Sequence, residues 1–421
     1  MIFLLLLTCP NLSSPYFEIV DAGTGDDVVT LGFGNAQYLT SLSGGEGYDK
    51  LIDGVYGNGA SSFDWSKVTG FEEISWGLGY YHQDTFTNNV GQAGTTLKLT
   101  NIGSGEWDFS AETDATLEIL GVNRSDYANT TFTGGSLADT FTFYGGNQDL
   151  RGGGGNDSIN AGEGDDTITG GAGDDTINST AGTDTIDAGS GDNTIDVSSI
   201  NSTISAGSGD DTVNVLEGSG SSFDLGEGDN VLVADASVGR ITTGSGNDVI
   251  KLSGGHSDVY YEAASDGNWS YSSTWSRNWN NTQVNAGSGD DIITLSGTVE
   301  FNTNGGDYRS VSGYGNVYGS IYGGDGNDTL DASNTTSVIE LNGGNGDDII
   351  YGAQESTETI LGGEGNDIIQ SSRGQIASNQ WTSIYGGEGN DSITSSTALG
   401  VNNNLIYGGK GDDIINGGNG N

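Results

Sequence analysis

A nine-residue repeat is the feature that most constrains the fold of this chain. From Gly152 to Asn214 the sequence divides into seven consecutive units: GGGGNDSIN, AGEGDDTIT, GGAGDDTIN, STAGTDTID, AGSGDNTID, VSSINSTIS and AGSGDDTVN. Most of them follow the pattern GGxGxDxUx, in which U is a large aliphatic residue. A fixed period of this kind predicts a solenoid, because each unit can bury its apolar side chain only against its neighbours. The unit VSSINSTIS has lost its glycines and aspartate but keeps Ile204 at the U position, as stacking requires.

The positions within a unit have separate physical roles. Glycines permit positive φ and close backbone approach, so the first half of a unit can turn sharply with its carbonyl groups exposed. The aspartate supplies a hard anionic oxygen, which is the ligand type that calcium prefers. The residues that follow, such as Thr176-Ile177-Asn178, suit a short strand with the aliphatic side chain pointing inward. Each unit is therefore interpreted as half a coil, and two units return the chain to the same side.

Similar units recur outside the regular run, starting at Ala22, Gly44, Thr243, Ala286, Gly323, Gly343, Gly362, Gly386 and Gly408. The last of these starts lie 19 to 24 residues apart, slightly more than one coil, which predicts that one side of the solenoid carries loops throughout. The opposite side is predicted to carry such loops only around residues 161 to 187. The longer steps, from 243 to 286 and from 286 to 323, are interpreted as two coils each.

The charge balance excludes some partners and requires another. The chain has 58 acidic and 11 basic residues, a formal charge of -47, and 75 glycines among 421 residues. Such a composition can indicate disorder, but a third of the residues are hydrophobic and the aliphatic ones recur at fixed intervals. The pattern therefore predicts a folded repeat that needs a counter-charge. Nucleic acid is not expected as a partner because the sequence has no basic patch.

Other elements of the sequence give little chemistry. The single cysteine, Cys9, allows no intramolecular disulfide, and two histidines, His82 and His256, make a histidine-rich zinc site improbable. The apolar run Ile2 to Leu7 is too short to span a membrane. The sequence has neither the HExxH motif of zinc proteases nor the GxSxG motif of lipases, so no enzyme is predicted. Because it ends within a repeat, at Asn421, we interpret the chain as a fragment.

These units resemble the RTX, or hemolysin-type, calcium-binding repeats over roughly residues 134–421 and 22–52. The resemblance implies an all-β fold, a right-handed parallel β-roll or β-solenoid with calcium-binding turns. It implies calcium ions between the loops of successive coils, held by the sixth-position aspartate and by loop carbonyl groups. It also implies type I secretion through a C-terminal signal, with a chain that is unfolded in the low-calcium cytosol and folds outside the cell.

Carried over residue by residue, the resemblance predicts metal ligands at Asp27, Asp49, Asp157, Asp166, Asp175, Asp184, Asp211, Asp248, Asp291, Asp328, Asp348, Asp367, Asp391 and Asp413. Asp184 ranks lower because the loop of its unit departs from the pattern, and the amides of Asn193 and Asn230 put those two sites in doubt. The alternative is that the aspartates only form Asx-turns. That alternative does not explain why the sequence stacks carboxylates that would otherwise repel one another.

The sequence predicts an organisation in six segments: a weak leader or fragment start (1–12), short repeats (13–52), a β-rich segment without ion loops (53–133), the regular β-roll (134–252), an aromatic-rich insertion (253–285) and a continuing β-roll (286–421). The segment 53–133 is interpreted as further coils, with a separate small β-domain as the alternative. The aromatic side chains from Tyr260 to Trp279 either fold over the flank of the solenoid or stack on sugar rings.

Two functions remain open from the sequence. The first is a structural or adhesive protein, secreted or at the cell surface, that calcium stiffens and that meets cell-surface polysaccharide or other surface components. The second is a folding and export module of a secreted enzyme or toxin whose catalytic domain lies elsewhere. The flanking reading frame distinguishes them, because the first predicts a longer array and the second predicts a catalytic domain or a short ending.

Overall fold

The computed structural model describes residues 4–7, 18–31, 39–53, 64–76, 82–87, 90–121, 130–216, 219–234, 237–253, 262–263, 269–270, 280–296, 318–334, 340–353, 358–371, 381–395 and 403–418. The chain divides into two compact units, Met1–Asp196 and Val197–Asn421. Each unit is a stack of coils in which parallel strands form two opposite faces. The all-β, parallel solenoid predicted from the repeat is therefore confirmed.

In the first unit, one face consists of the strands Leu4–Leu7, Val28–Leu31, Lys50–Asp53, Glu73–Trp76, Thr96–Ile102, Thr116–Gly121, Thr140–Thr142, Ser158–Glu163, Thr176–Ala181 and Thr194–Val197. The other strands are Glu18–Asp21, Leu39–Ser43, Val68–Thr69, His82–Thr85, Gly105–Asp108, Thr130–Thr133, Gln148–Gly154, Thr167–Ala172 and Thr185–Ser190. A 3-10 turn covers Trp65–Lys67.

In the second unit, the face that follows the loops consists of Thr212–Val215, Val231–Ala234, Val249–Ser253, Ile292–Ser296, Thr329–Asn334, Ile349–Tyr351, Ile368–Gln370, Ser392–Thr394 and Ile414–Asn416. The opposite face consists of Thr203–Ser205, Ser219–Asp224, Ser237–Ser245, Asn280–Ser288, Tyr318–Asp325, Glu340–Asn345, Thr359–Glu364, Trp381–Glu388 and Asn403–Lys410. A short antiparallel pair joins Glu262–Ala263 and Trp269–Ser270.

The repeat register places the aliphatic side chains of both faces in a narrow core. Ile159 lies directly opposite Ile177 in the parallel pairing, and both are buried. Their neighbours Ser158 and Thr176 point outward and are exposed, because successive side chains of a strand point to opposite faces. This alternation positions the loops, since each loop begins and ends at a strand whose register is fixed by the core.

The β-rich segment without motifs also takes part in this stacking. Glu73–Trp76 pairs with Lys50–Asp53, and Thr116–Gly121 pairs with Thr140–Thr142. The core of these coils combines aliphatic side chains, such as Leu97 and Ile119, with stacked aromatic rings. Phe86 stacks on Phe109, with ring centroids 3.7 Å apart.

The interpretation of the long steps as two coils each is wrong. Val249–Ser253 pairs directly with Ile292–Ser296, and this strand pairs directly with Thr329–Asn334. Each step is therefore one coil whose connection between the faces is lengthened. The stacking fixes the strands alone, and the entropy cost of a longer surface connection grows only slowly with length.

Several sequence predictions lie outside the described residues. They include the side chains of the aromatic run from Tyr260 to Trp279, His256 and Cys9, so the idea of stacking on sugar rings stays a prediction. Within the part of the chain that is described, no helix has the length and apolarity needed to cross a membrane.

Replacing an inward aliphatic is expected to destabilise the solenoid far more than replacing its outward neighbour. Ile177→Ala leaves a cavity in a fully buried ladder and should cost about 2 to 4 kcal/mol of folding free energy. Thr176→Ala, one residue earlier on the exposed face, should cost well under about 1 kcal/mol. Denaturant titration of both variants in saturating calcium measures the difference, and equal midpoints would mean that the register is displaced by one residue.

Candidate metal centre

The sixth-position aspartates form a hydrogen-bonded column along each unit, and Asp166 and Asp184 form a second, shorter one on the opposite side of the first unit. The side chain of each aspartate reaches toward the preceding coil, where its Oδ1 accepts a hydrogen bond from the backbone N–H of that coil's sixth residue. The N–H of Asp157 donates to Asp175 at 2.8 Å, and that of Asp248 donates to Asp291 at 2.7 Å. Further links of the same kind join Asp27 to Asp49, Asp291 to Asp328, Asp328 to Asp348, Asp348 to Asp367, Asp367 to Asp391, and Asp391 to Asp413.

The second carboxylate oxygen of these residues is left without a protein partner. Oδ2 is buried and has no hydrogen bond in Asp27, Asp49, Asp157, Asp166, Asp175, Asp291, Asp328, Asp348, Asp367 and Asp391. The residues themselves are at most 3% exposed. A buried, unpaired anionic oxygen is costly, and it persists in proteins mainly where a counter-charge or a proton compensates it. A column of such atoms therefore points to bound cations.

Burial raises the pKa of several of these carboxyl groups toward neutrality. It raises the pKa of Asp157 to about 8, that of Asp348 to about 7 and that of Asp367 to about 6. In each case loss of hydration is the largest cause, the backbone N–H bond opposes it, and neighbouring carboxylates add to it. The same directions hold for Asp166 and Asp291, whose pKa values rise to about 7. Without a cation, these groups therefore take up protons at a higher pH than an ordinary aspartate does.

In the loops that begin with glycine, a main-chain oxygen lies close to the unpartnered carboxylate oxygen. A methyl group built on the first-position glycine Gly343 would collide with Oδ2 of Asp348 and lie 2.6 Å from the carbonyl oxygen of Gly362 in the next coil. Gly323 shows the same relation to Asp328 and Gly343. The space next to the glycine is thus bounded by a carboxylate oxygen of one coil and a carbonyl oxygen of the following coil. Hard oxygens of both kinds suit calcium.

Carbonyl groups must provide most of the ligands in such a site. Among the described residues, no group of three or more aspartate, glutamate, histidine or cysteine side chains is close enough to hold a metal ion. Zinc sites, which are built from several such side chains, are therefore not supported in this part of the chain. A flexible, carbonyl-rich shell with one or two carboxylates fits an ion that accepts 6 to 8 oxygens.

Asp184 differs from the other aspartates in one contact. Its Oδ1 accepts the N–H of Asp166 at 2.9 Å, as in the column described above. Its Oδ2, however, accepts a hydrogen bond from the hydroxyl group of Ser179, which stands where most units have glycine or alanine. The hydroxyl group compensates the oxygen that is unpartnered in most of the other aspartates, which gives a physical reason for ranking this site lower.

The two asparagines of the column donate hydrogen bonds to carbonyl groups of their own loops. Oδ1 of Asn193 accepts the N–H of Asp175 at 2.9 Å, and Nδ2 donates to the carbonyl of Gly191 at 2.9 Å. Asn230 repeats this arrangement, accepting from Asp211 and donating to Gly228, both at 3.0 Å. The amide group therefore binds a carbonyl group of its own loop, a bond that an aspartate carboxylate cannot donate.

The structure also adds Asp139 to the column, which the sequence reasoning did not include. Its N–H donates to Asp157 at 2.7 Å, while its own Oδ1 and Oδ2 accept the N–H groups of Leu117 and Gly135. Asp139 therefore extends the stack, but unlike the aspartates above it has no oxygen without a hydrogen bond. The signal in the sequence is GGSLADTFT, which keeps the spacing of the repeat but lacks its fourth-position glycine.

A comparison with protein families identifies the repeat. The model of the RTX calcium-binding nonapeptide repeat matches residues 16–36, 144–177, 170–199, 179–213, 187–221, 224–259, 320–334, 340–356, 355–375, 383–396 and 400–421, which together cover more than half of the chain. No curated protein matches the sequence of this chain.

Proposed function

The chain belongs to the RTX calcium-binding nonapeptide repeat family, and from this premise we propose that its aspartate loops bind a column of calcium ions that hold the solenoid together outside the cell. The ligands would be the sixth-position aspartates and the carbonyl groups of adjacent coils. The observation that carries the proposal is the series of buried Oδ2 atoms without hydrogen bonds. The hydrogen bonds between coils account for Oδ1, but they leave these second oxygens uncompensated.

The proposed role is a structural or adhesive one, toward surface polysaccharides or other surface components, and we assign no catalytic activity. Calcium would stiffen the array, because each ion joins two successive coils and each coil contacts only its neighbours. An extracellular location follows from the calcium supply. Modules of this kind bind in the range of about 0.1 to 1 mM, far above cytosolic concentrations. A folding midpoint in the submicromolar range would contradict this location.

Replacing an asparagine of the column by aspartate is expected to strengthen calcium binding at that loop. Asn230→Asp removes the bond from Nδ2 to the carbonyl of Gly228 and places an anionic oxygen beside it. A cation then has two ligands where it previously met an N–H donor. We expect the variant to need less calcium to protect the loops of Asp211 and Asn230, and to fold over a narrower range of calcium concentration, because an interruption between coils has been removed.

Hydrogen exchange of the full chain across a calcium titration measures this effect. Asn247→Asp is the matched control, since it introduces the same charge at an exposed position in the next loop. The control is expected to leave the midpoint nearly unchanged. If Asn230→Asp raises the calcium requirement instead, repulsion between the empty carboxylates outweighs the new ligand, and the column does not bind ions as proposed.

A further inference from the structure

A glutamate takes the sixth-position place in a coil without the repeat motif. Glu73–Trp76 pairs in parallel with Lys50–Asp53, so that Leu51 lies opposite Ile74. Glu72 therefore lies at the level of Asp49, just as Asp49 lies at the level of Asp27. The spacing from Glu72 to Ile74 is also that from the aspartate to the inward aliphatic residue in the repeat.

The loop before Glu72 is shorter than a repeat loop, but it retains a glycine, Gly70, at the place of the first residue of the repeat. The N–H of Gly44 donates to the carbonyl of Thr69 at 3.1 Å, which sets Gly70 beside Gly44. A methyl group on Gly44 would collide with the carbonyl oxygen of Gly70 and lie 2.8 Å from Oδ2 of Asp49. This pair of oxygens is the one that flanks Gly343 in the regular loops. The loop from Gly70 to Glu72 thus has three residues, where the repeat loop from Gly44 to Asp49 has six.

The longer side chain of glutamate compensates for the shorter loop. Oε2 of Glu72 accepts the N–H of Asp49 at 2.7 Å, as Oδ1 of Asp49 accepts the N–H of Asp27 at 2.9 Å. Glu72 is 6% exposed and Asp49 is fully buried. Oε1 of Glu72 and Oδ2 of Asp49 have no hydrogen-bond partner.

The lysines nearest in sequence do not neutralise this pair. The ammonium group of Lys50 binds Glu73 at 2.5 Å, and that of Lys67 binds Asp64 at 3.4 Å. Oε1 of Glu72 and Oδ2 of Asp49 are therefore buried without a hydrogen bond, and the two nearest lysines are paired elsewhere. Oδ2 of Asp49 also shares the space beside Gly44 with the carbonyl oxygen of Gly70. The cost of two such anionic oxygens is relieved most directly by a divalent cation.

We propose that Asp49, Glu72 and the carbonyl group of Gly70 hold a calcium ion in a loop that does not carry the repeat motif. The inference rests on the proposed calcium function of the regular loops. It extends the ion column of the first unit by one coil beyond the consensus loops at Ala22 and Gly44. Glu72 is the new ligand, and Asp49 contributes its second oxygen to this ion.

The test is hydrogen exchange with mass spectrometry on the full chain, with calcium chloride as the titrant. Glu72→Gln keeps an oxygen for the N–H of Asp49 but removes the charge. It is expected to raise the calcium midpoint for protection of residues 44–53 about tenfold. Glu46→Gln, at an exposed position in the loop from Gly44 to Asp49, is the matched control and is expected to leave that midpoint unchanged. Peptides covering 323–348 should respond equally in all three proteins.

The outcomes separate this site from the proposed function. If residues 323–348 gain no protection with calcium, the proposed function fails. If they do but Glu72→Gln leaves the midpoint of 44–53 unchanged, Glu72 holds no ion and the inference is overturned. Should Glu72→Gln leave residues 44–53 unprotected at every calcium concentration, Glu72 is a purely structural acceptor and the inference is likewise overturned.

Discussion

Removing calcium with excess chelator at about pH 7.5 is expected to convert the chain from a β-rich to a largely disordered state. The reason is the column of buried carboxylates, whose Oδ2 atoms have no protein partner in coils such as those of Asp328, Asp348 and Asp367. A narrow core must offset the ordering entropy of every residue, and it cannot also carry uncompensated charge. Calcium binds the folded loops alone, so many sites multiply its stabilising effect.

Far-UV circular dichroism across a calcium titration measures this transition. Magnesium at about 1 mM is the control, because it demands a tight octahedron and gives up its waters reluctantly. It should restore little structure at a concentration where calcium restores most of it. A spectrum that remains β-rich in excess chelator would show that the carboxylates need no cation, and equal folding with magnesium would contradict the carbonyl-rich site.

Acidification is expected to replace calcium in part. When calcium is removed by chelator, the chain should contain more β-structure at about pH 5 than at about pH 7.5. Burial raises the pKa of Asp157 to about 8 and that of Asp166, Asp291 and Asp348 to about 7, from an ordinary value of 3.8. Because these pKa values are raised in the folded state, protonation stabilises it. The contribution is fully present below about pH 4 and is lost as the pH rises through 7 to 8.

The calcium-bound state has the opposite dependence on pH. Protons compete with calcium for the same oxygens, so the calcium midpoint should rise as the pH falls. Circular dichroism in chelator and in calcium at both pH values separates the two effects. Sodium chloride at about 0.5 M and about pH 7.5 is the control, since it screens exposed charges but does not hydrate buried carboxyl groups. If salt restores as much structure as acid, surface repulsion rather than burial unfolds the chain.

The sequence by itself determined the periodic part of the structure. The aliphatic position, exemplified by Ile177, faces the core, and the aspartates predicted from the repeat form a stacked column. Both follow from local rules, because glycine at fixed spacing sets the turn and alternation along a strand sets which side chain is buried. The number of residues per coil also follows wherever the period is regular.

Only the tertiary structure decided what depends on contacts between coils. It showed that the 43-residue step from Asp248 to Asp291 is a single coil, that the amide groups of Asn193 and Asn230 bind their own loop carbonyls, and that Glu72 lies level with Asp49. None of these relations has a sequence pattern of its own. Strand pairing fixes which coils are neighbours, and a loop of any length that satisfies this pairing can bring a carboxylate to the same place.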